Sequence, residues 1–231
     1  AALGGLYVEG TSDVEPYRLM IALAQAAEKM GTTIRHGSVI GLLRDRDRVR
    51  GVRLEHDEVP CRQVVLAMGP WSGEASAWLG LRVPVRPLKG QILRLRAPGD
   101  PFRCSIGWGG NYATTKPDGL LWAGTTEEDA GFDESPTTEA RDRIMAALLK
   151  MLPSMAEARL VHQTACLRPL SGDGLLLLGE VPGWEGVYIA TGGLRSGIAL
   201  GPAMGRIIAD LITTGATDIP IEAFAPGRFG G

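Results

Sequence analysis

Near its C-terminal end the sequence runs Val187-Tyr188-Ile189-Ala190-Thr191, turns through Gly192-Gly193-Leu194-Arg195-Ser196-Gly197, and continues at helical spacing from Ile198 to Leu211. An apolar strand that empties through glycines into a helix is a join from which layered α/β sheets are built. A second buried strand lies earlier. Val64-Val65-Leu66-Ala67 is a continuous apolar run, expected as a strand buried on both faces, and it exits through Gly69-Pro70-Trp71-Ser72.

The rest of the chain is arranged around these two features. Ala1-Ala2-Leu3 leads into a strand-like Gly5-Leu6-Tyr7-Val8. Glu15-Pro16 then opens a helix with Leu19, Leu23, Ala26 and Met30 at helical spacing, Pro16 suiting the first turn and Gly31 the stop. Ile34 to Leu43 and Val49 to Leu54 are expected as strands flanking an Arg-Asp-Arg-Asp turn. From Lys89 to Thr126 strands alternate with turns: Gln91 to Leu95, a corner at Gly107-Trp108-Gly109-Gly110, Tyr112 to Thr115, and Leu120 to Gly124. Pro117-Asp118-Gly119 is a turn because proline fixes one dihedral and glycine accepts a positive one. A second helix is expected from Ser135-Pro136 to Pro153 with Ile144, Ala147, Leu148 and Met151 on one face, followed by buried strands at Leu160 to Leu167 and Leu175 to Leu178. Helices and strands alternate at both ends of a strand-rich middle. The fold class is therefore α/β (α+β), with an antiparallel sheet inserted into an α/β layer.

Composition excludes several functions. The 231 residues are 45% hydrophobic and 22% charged, ordinary for a globular chain of one or two domains. A net charge of -2 and a pI near 6.0 give no field for nucleic acid or an anionic membrane. The most apolar stretch, Ile198 to Ile212, is broken by Pro202, Arg206 and Asp210, so no membrane span is expected. Cys61, Cys104 and Cys166 are odd in number and far apart, which argues for a reducing, cytoplasmic compartment. The three histidines are not at metal-ligand spacing, and no metal site is expected.

Four clusters could carry chemistry. The exit from the Val64 strand, with Gly69 and Trp71, is where open α/β sheets bind ligands, although a plain tight turn reads as well. At Gly192 to Ile198 the glycines, Gly193 among them, let a planar ligand approach the backbone. The helix start there offers free N–H groups and a positive dipole end; a ligand-free helix start is the other reading. Arg168, in Cys166-Leu167-Arg168-Pro169, sits among apolar residues. It is either the bidentate partner of a substrate carboxylate or one half of a salt bridge, with Asp173 the nearest candidate. Tyr112 is either a core side chain or a ligand contact, and Glu127 and Glu128 read as a solvated loop.

In this order and spacing the segments resemble the glycine-oxidase branch of the D-amino-acid oxidase superfamily over essentially the whole chain. The motifs are Gly5-Leu6-Tyr7-Val8 with Pro16, Val64 to Ser72, and Pro84 to Gln91 with Lys89-Gly90-Gln91. Further on come Gly124-Thr125-Thr126 with Gly131-Phe132-Asp133, Leu167-Arg168-Pro169 with Asp173-Gly174, and Gly192 to Ala203. The resemblance implies FAD as cofactor. It makes Arg168 the arginine that grips the substrate carboxylate and Tyr112 a tyrosine lining the same site. It sets Arg195, Ser196, Gly197 and Ile198 against the flavin's pyrimidine edge, Gly69 and Trp71 near the cofactor, and the Val39 backbone by the adenine. Cys166 resembles the cysteine that carries flavin covalently in sarcosine oxidases; the other reading, adopted here, is a small buried hydrophobe.

The glycine-rich GxGxxG turn that cradles the pyrophosphate in that family is not among these residues. The chain is accordingly expected to be a C-terminal part, binding FAD weakly or not at all by itself. Its fold would be an incomplete FAD-binding Rossmann-like domain, residues 13–88 and 172–231, with an inserted antiparallel-sheet substrate domain, residues 1–12 and 89–171. The implied reaction is oxidation of a small amino acid or secondary amine of the glycine, sarcosine or D-amino-acid type, by hydride transfer from the α-carbon. Two alternatives stand beside it. One is a dehydrogenase of the same fold that passes electrons to a carrier; the other is a non-catalytic piece that binds no cofactor and forms a homo-oligomer.

Overall fold

The computed structural model describes residues 4–10 and 12–230. In chain order the elements are α1 (Pro16–Lys29), β1 (Val39–Asp45), β2 (Arg48–Leu54), β3 (Glu58–Pro60), β4 (Val64–Leu66) and α2 (Ala75–Leu79). Next come β5 (Val85–Arg96), β6 (Ile106–Trp108), β7 (Asn111–Thr115), β8 (Leu121–Gly124) and α3 (Thr138–Met151). The chain finishes with β9 (Arg159–Ser171), β10 (Leu177–Glu180), β11 (Val187–Thr191) and α4 (Gly197–Thr214). It divides into two compact units, one of Ala1–Arg35, Leu93–Gly124 and Ile144–His162, the other of His36–Ile92, Thr125–Arg143 and Gln163–Gly231.

The first unit holds α1 and strands of a five-stranded sheet ordered β6-β7-β8-β5-β9. Alternate residues of these strands, Leu93 and Leu95, Ala113, and Leu121 and Ala123, form a buried cluster with Ile144 and Leu148. The last two are four residues apart, one helical turn of α3, so a helical stripe covers an alternating strand face. Gly109 and Gly110 have φ of +58° and +80°, so the expected glycine corner is a turn between β6 and β7. Asp13 ties the segment before α1 to this sheet. The Ser105 and Thr114 hydroxyls donate to its carboxylate, and Lys116 Nζ donates to Val14 O at 3.0 Å. The Ser105 bond, ahead of smaller contributions from Thr114 and Lys116, holds the Asp13 carboxyl below its ordinary pKa against partial burial.

Helix α1 forms from local signals. Glu15 caps it by accepting from Tyr17 N and Arg18 N, Pro16 occupies the first turn, and Gly31 takes φ +98° just beyond its end. None of its residues is buried, so its apolar stripe is an amphipathic pattern without a core behind it.

The second unit contains two three-stranded sheets. One is the antiparallel β1-β2-β3, with its turn at Arg46 and Asp47 as the sequence predicts. The other is β10-β11-β4, in which β11 runs antiparallel to β10 and parallel to β4, Val187 opposite Val64 and Ile189 opposite Leu66. Val187 and Ile189 enter a core with Leu66, Leu79, Val85, Leu177 and Trp184, whose Nε1 donates to Leu79 O at 2.9 Å. Tyr188 points the other way and packs with Leu178 against Ile207 and Ile208 of α4. Strand β11 is thus covered on both faces.

Four expectations change. Val64 to Ala67 is not buried on both faces: among the described residues β4 ends its sheet with β11 as its one neighbour, and Val65 is 40% exposed. Leu160 and Val161 are exposed because β9 is likewise an outer strand, and Leu175 is exposed because β10 begins two residues later. Gly5 to Val8 forms no strand; no described strand pairs with it, and Leu6 and Tyr7 are exposed. Ala1-Ala2-Leu3 lies outside the described residues. Among those described, no helix is long and apolar enough to cross a membrane, and no group of three His, Cys, Asp or Glu side chains could hold a metal.

A bidentate pair fastens the last turn to the β9–β10 loop. Arg228 Nε and Nη2 donate to the two Asp173 carboxylate oxygens at 2.8 and 3.1 Å, which lowers the Asp173 pKa from 3.8 to about 2. A carboxyl with a depressed folded-state pKa stabilises above its unfolded value and loses that contribution as pH falls through the folded one. Asp173→Asn should therefore lower stability at pH 7 by about 1 kcal/mol or less, as for other partly exposed pairs. Its melting temperature should converge on that of the wild type as pH drops from 3.8 towards about 2. A difference that persists unchanged at the acid end would show that the pair is not its source.

Candidate functional site

The turn after β11 gathers the site, all within the second unit. Ser72 Oγ lies 2.7 Å from both Thr191 Oγ1 and Gly69 O, and Thr191 Oγ1 donates to Gly69 O at 3.2 Å. These hydroxyls lock the loop after β4, with Gly69 at φ +53° and Trp71 exposed, to the end of β11. Trp71 stacks on Phe132 with ring centroids 5.9 Å apart.

Beyond Thr191 the backbone turns sharply. Gly192 has φ +80° and Leu194 has φ +42°, a left-handed conformation that a leucine adopts only when held. Two bonds hold it: Leu194 N donates to Pro169 O at 3.1 Å, and Ser196 N to Gly193 O at 2.8 Å. A Cβ on Gly193 would fall 2.7 Å from Gly197 Cα, so glycine is required there by the chain's own packing. Open space over the backbone begins at Gly197, where an added Cβ would meet nothing within 4 Å. At the start of α4 the Ser196 side chain makes no cap bond and the first turn carries no acidic residue. Uncapped N–H groups and an open glycine face together give a surface on which a flat, electron-rich group can lie. Arg195 pairs with Glu127 at 3.3 Å, both partners about half exposed.

Arg168 stands one residue before the Pro169 carbonyl that holds the turn. It is half-buried on β9, donating from Nη2 to Thr125 Oγ1 at 2.8 Å and from Nη1 to Thr126 O at 3.1 Å. It forms no ion pair with any described residue. The salt bridge to Asp173 is ruled out, because Asp173 belongs to Arg228. The site therefore presents a partly desolvated guanidinium with two neutral acceptors and no carboxylate.

Behind Arg168 lies a polar network to which the sequence reading gave no role. On β5 the inward positions Val85, Pro87, Lys89, Gln91, Leu93 and Leu95 are all buried, so a lysine and a glutamine occupy core positions. Lys89 Nζ donates to Asp133 at 2.7 Å, a bond that holds the Asp133 carboxyl well below the usual carboxylate range. Gln91 Nε2 donates to both Glu128 carboxylate oxygens at 3.0 and 3.1 Å and to Thr137 Oγ1 at 3.2 Å. Its Oε1 accepts from Thr137 N and Gln163 Nε2, both at 2.9 Å. Thr126 Oγ1 accepts from Gln91 N at 2.9 Å and bonds the Glu128 carboxylate. Glu127 and Glu128 are thus an ion-pair partner and a network acceptor, not a solvated loop. The available signal was parity, two polar side chains at inward positions of an alternating strand.

These bonds bring together Gly69, Trp71, Gly193, Arg195, Ser196, Gly197, Ile198 and Arg168. They do not include Val39, an exposed residue opposite Leu54 at the start of β1, or Tyr112, which lies in the first unit opposite Gly107 and Gly124. Cys166 is exposed on an outer strand and so is not the buried small hydrophobe expected.

A family described as FAD dependent oxidoreductase matches residues 1–211. The chain is 36% identical over 223 residues to the glycine oxidase of Pseudomonas aeruginosa, covering 96% of this chain and 61% of that protein. The crystal structure of glycine oxidase from Geobacillus kaustophilus superposes with a TM-score of 0.86 at 28% identity, over 92% of this chain and 58% of that one. That of L-proline dehydrogenase from P. horikoshii gives 0.84 at 25% identity, over 93% and 59%. The chain thus spans about three fifths of the length of each of these three proteins.

The network makes a stability prediction independent of any ligand. Gln91→Leu leaves Thr137 N, Gln163 Nε2 and the Glu128 carboxylate without their shared partner, at about 1–3 kcal/mol for each buried group left unsatisfied. Urea unfolding should show a midpoint well below wild type. A change indistinguishable from zero would mean that water replaces the amide and that the network does not hold this region.

Proposed function

Because the chain belongs to the FAD dependent oxidoreductase family, we propose that the protein oxidises a small amino acid or secondary amine of the glycine, sarcosine or D-amino-acid type. The observation that carries this reading is Arg168, a half-buried cation with neutral neighbours and no carboxylate among the described residues. A planar fork of donors in that state is matched by an α-carboxylate, which supplies the missing charge and two acceptors. The named activity of the glycine oxidase relatives supports the same substrate class.

The residues fit an FAD. The open backbone at Gly197 and the uncapped start of α4 suit the electron-rich edge of the flavin, with Gly193, Arg195, Ser196 and Ile198 around it. Gly69 and Trp71 take the cofactor side from the β4 exit, and Val39 is assigned to the adenine. When bound, FAD supplies the acceptor for the hydride that leaves the substrate α-carbon. Arg168 fixes the carboxylate and thereby the direction of the α-carbon bond, an orientation effect of the kind that lowers barriers most economically. An amine bound in its neutral form needs no side-chain base. In this reading residues 13–88 and 172–231 serve the cofactor and residues 1–12 and 89–171 the substrate, with Tyr112 a substrate-side residue. The L-proline dehydrogenase likeness favours a second reading in which electrons pass to a carrier; hydrogen peroxide formed in step with turnover decides for oxygen.

In the FAD-loaded protein Arg168→Ala removes one partner of a desolvated charge pair, a loss of about 2–5 kcal/mol. kcat/KM for glycine-like substrates should fall by roughly two to three orders of magnitude. Arg168→Lys should recover only part, since a point charge cannot reproduce the fork. A simple amine lacking the carboxylate should be oxidised almost as before, with the melting temperature little changed. Equal losses for both substrates would remove the carboxylate role.

A further inference from the structure

The backbone facing Arg168 has an unusual vacancy. A Cβ built on Gly90 would fall 2.1 Å from Arg168 Nη1, 2.2 Å from Nη2 and 2.3 Å from Cζ. Near-equal distances to three atoms of one plane mean that the guanidinium lies flat over the Gly90 Cα, in the volume a side chain would take. Gly90 is buried within β5 and is not among the glycines with positive φ. Its backbone is therefore open to any residue. A strand glycine with ordinary dihedrals marks a place where another group comes close, and here that group is the arginine.

The edge of the guanidinium is fixed as firmly as its face. Thr125 Oγ1 lies 3.1 Å from Gln91 O as donor, so its proton is committed and its lone pairs face Arg168 Nη2. Thr126 O accepts from Nη1, and Thr126 is itself anchored by Gln91 N. One face contact and two edge bonds define a plane, leaving the remaining N–H donors of the fork for a ligand.

We propose that Gly90 is a positioning residue for carboxylate recognition: its missing side chain, with Thr125 and Thr126, sets the plane of the Arg168 guanidinium and hence selectivity for substrates bearing a carboxylate. This rests on the reading of Arg168 given above. The colliding atoms are the far end of a flexible side chain, so Gly90→Ala should fold and displace the arginine.

The test uses the FAD-loaded protein as its gene encodes it, with acetate as an unreactive carboxylate. Wild type, Gly90→Ala, Arg168→Met and the double variant are compared by calorimetric affinity, by kcat and KM for glycine and for a simple amine, and by melting temperature. Gly90→Ala should weaken acetate about tenfold or more, taking ~1.4 kcal/mol per decade. It should raise KM for glycine more than it lowers kcat and leave the simple amine unaffected. In the Arg168→Met background it should do nothing further, since residues acting through one group are not additive. Equal weakening in both backgrounds, or wild-type acetate affinity in Gly90→Ala, overturns the proposal. If Gly90→Ala fails to fold, the double variant, which lacks the colliding guanidinium, should fold; its failure also overturns it. If Arg168→Met binds acetate like the wild type, the functional reading falls separately, and a crystal structure of Gly90→Ala then decides. An arginine moved off Thr125 and Thr126 upholds the seat, and one still bonded to both refutes it.

Discussion

Both edges of the Gln91 amide are used, two N–H donors shared among Glu128 and Thr137 and one carbonyl shared between Thr137 and Gln163. The segment from Thr125 to Thr137 has few apolar side chains to hold it against β5, so this amide does what a hydrophobic contact does elsewhere. Thr125 and Thr126 are in turn what Arg168 donates to. The direction of Arg168, which pairs with no carboxylate among the described residues, therefore depends on Gln91, whose main chain bonds Thr125 and Thr126 and whose side chain holds Glu128 and Thr137. In such a network each member is strong only while all are satisfied.

Much of the fold could be read from the sequence because its signals were local. Pro16, Glu15 and Gly31 delimit a helix that none of its own burial supports, and Pro117-Asp118-Gly119 turns where its residue types demand it. Val187 to Thr191 is a strand with the predicted bounds. What the sequence could not show was position in a sheet. Val64-Val65-Leu66 and Val187-Tyr188-Ile189 are equally apolar, yet one lies at the edge and the other in the centre, because strand order is decided by residues far away in the chain.

The site divides in the same way. Arg168 and the Gly192–Ile198 turn stood out because an arginine among apolar residues and a run of glycines are anomalies in one dimension. Lys89, Gly90, Gln91, Thr125 and Thr126 were visible as motifs but had no role, because their meaning is a set of contacts across 34 to 78 residues of sequence, the longest from Gly90 to Arg168. That Asp173 is not the partner of Arg168 likewise turned on Arg228, some fifty-five residues from Asp173 and unremarkable by itself.

Leu194 donates its backbone N–H to Pro169 O, next to Arg168, while its own unusual φ starts the turn that leads into α4. The strand bearing the arginine and the turn into the helix are therefore joined by a main-chain bond. In the proposed reading, the spacing between the strand that carries the arginine and the helix start beside the hydride acceptor is set by atoms that every amino acid shares, while the plane of the guanidinium is left to Gly90, Thr125 and Thr126. Other side chains around the substrate can then be exchanged, altering what is accepted, without moving that strand against the helix start. A backbone bond of this kind separates the geometry of the reaction from the identity of the substrate.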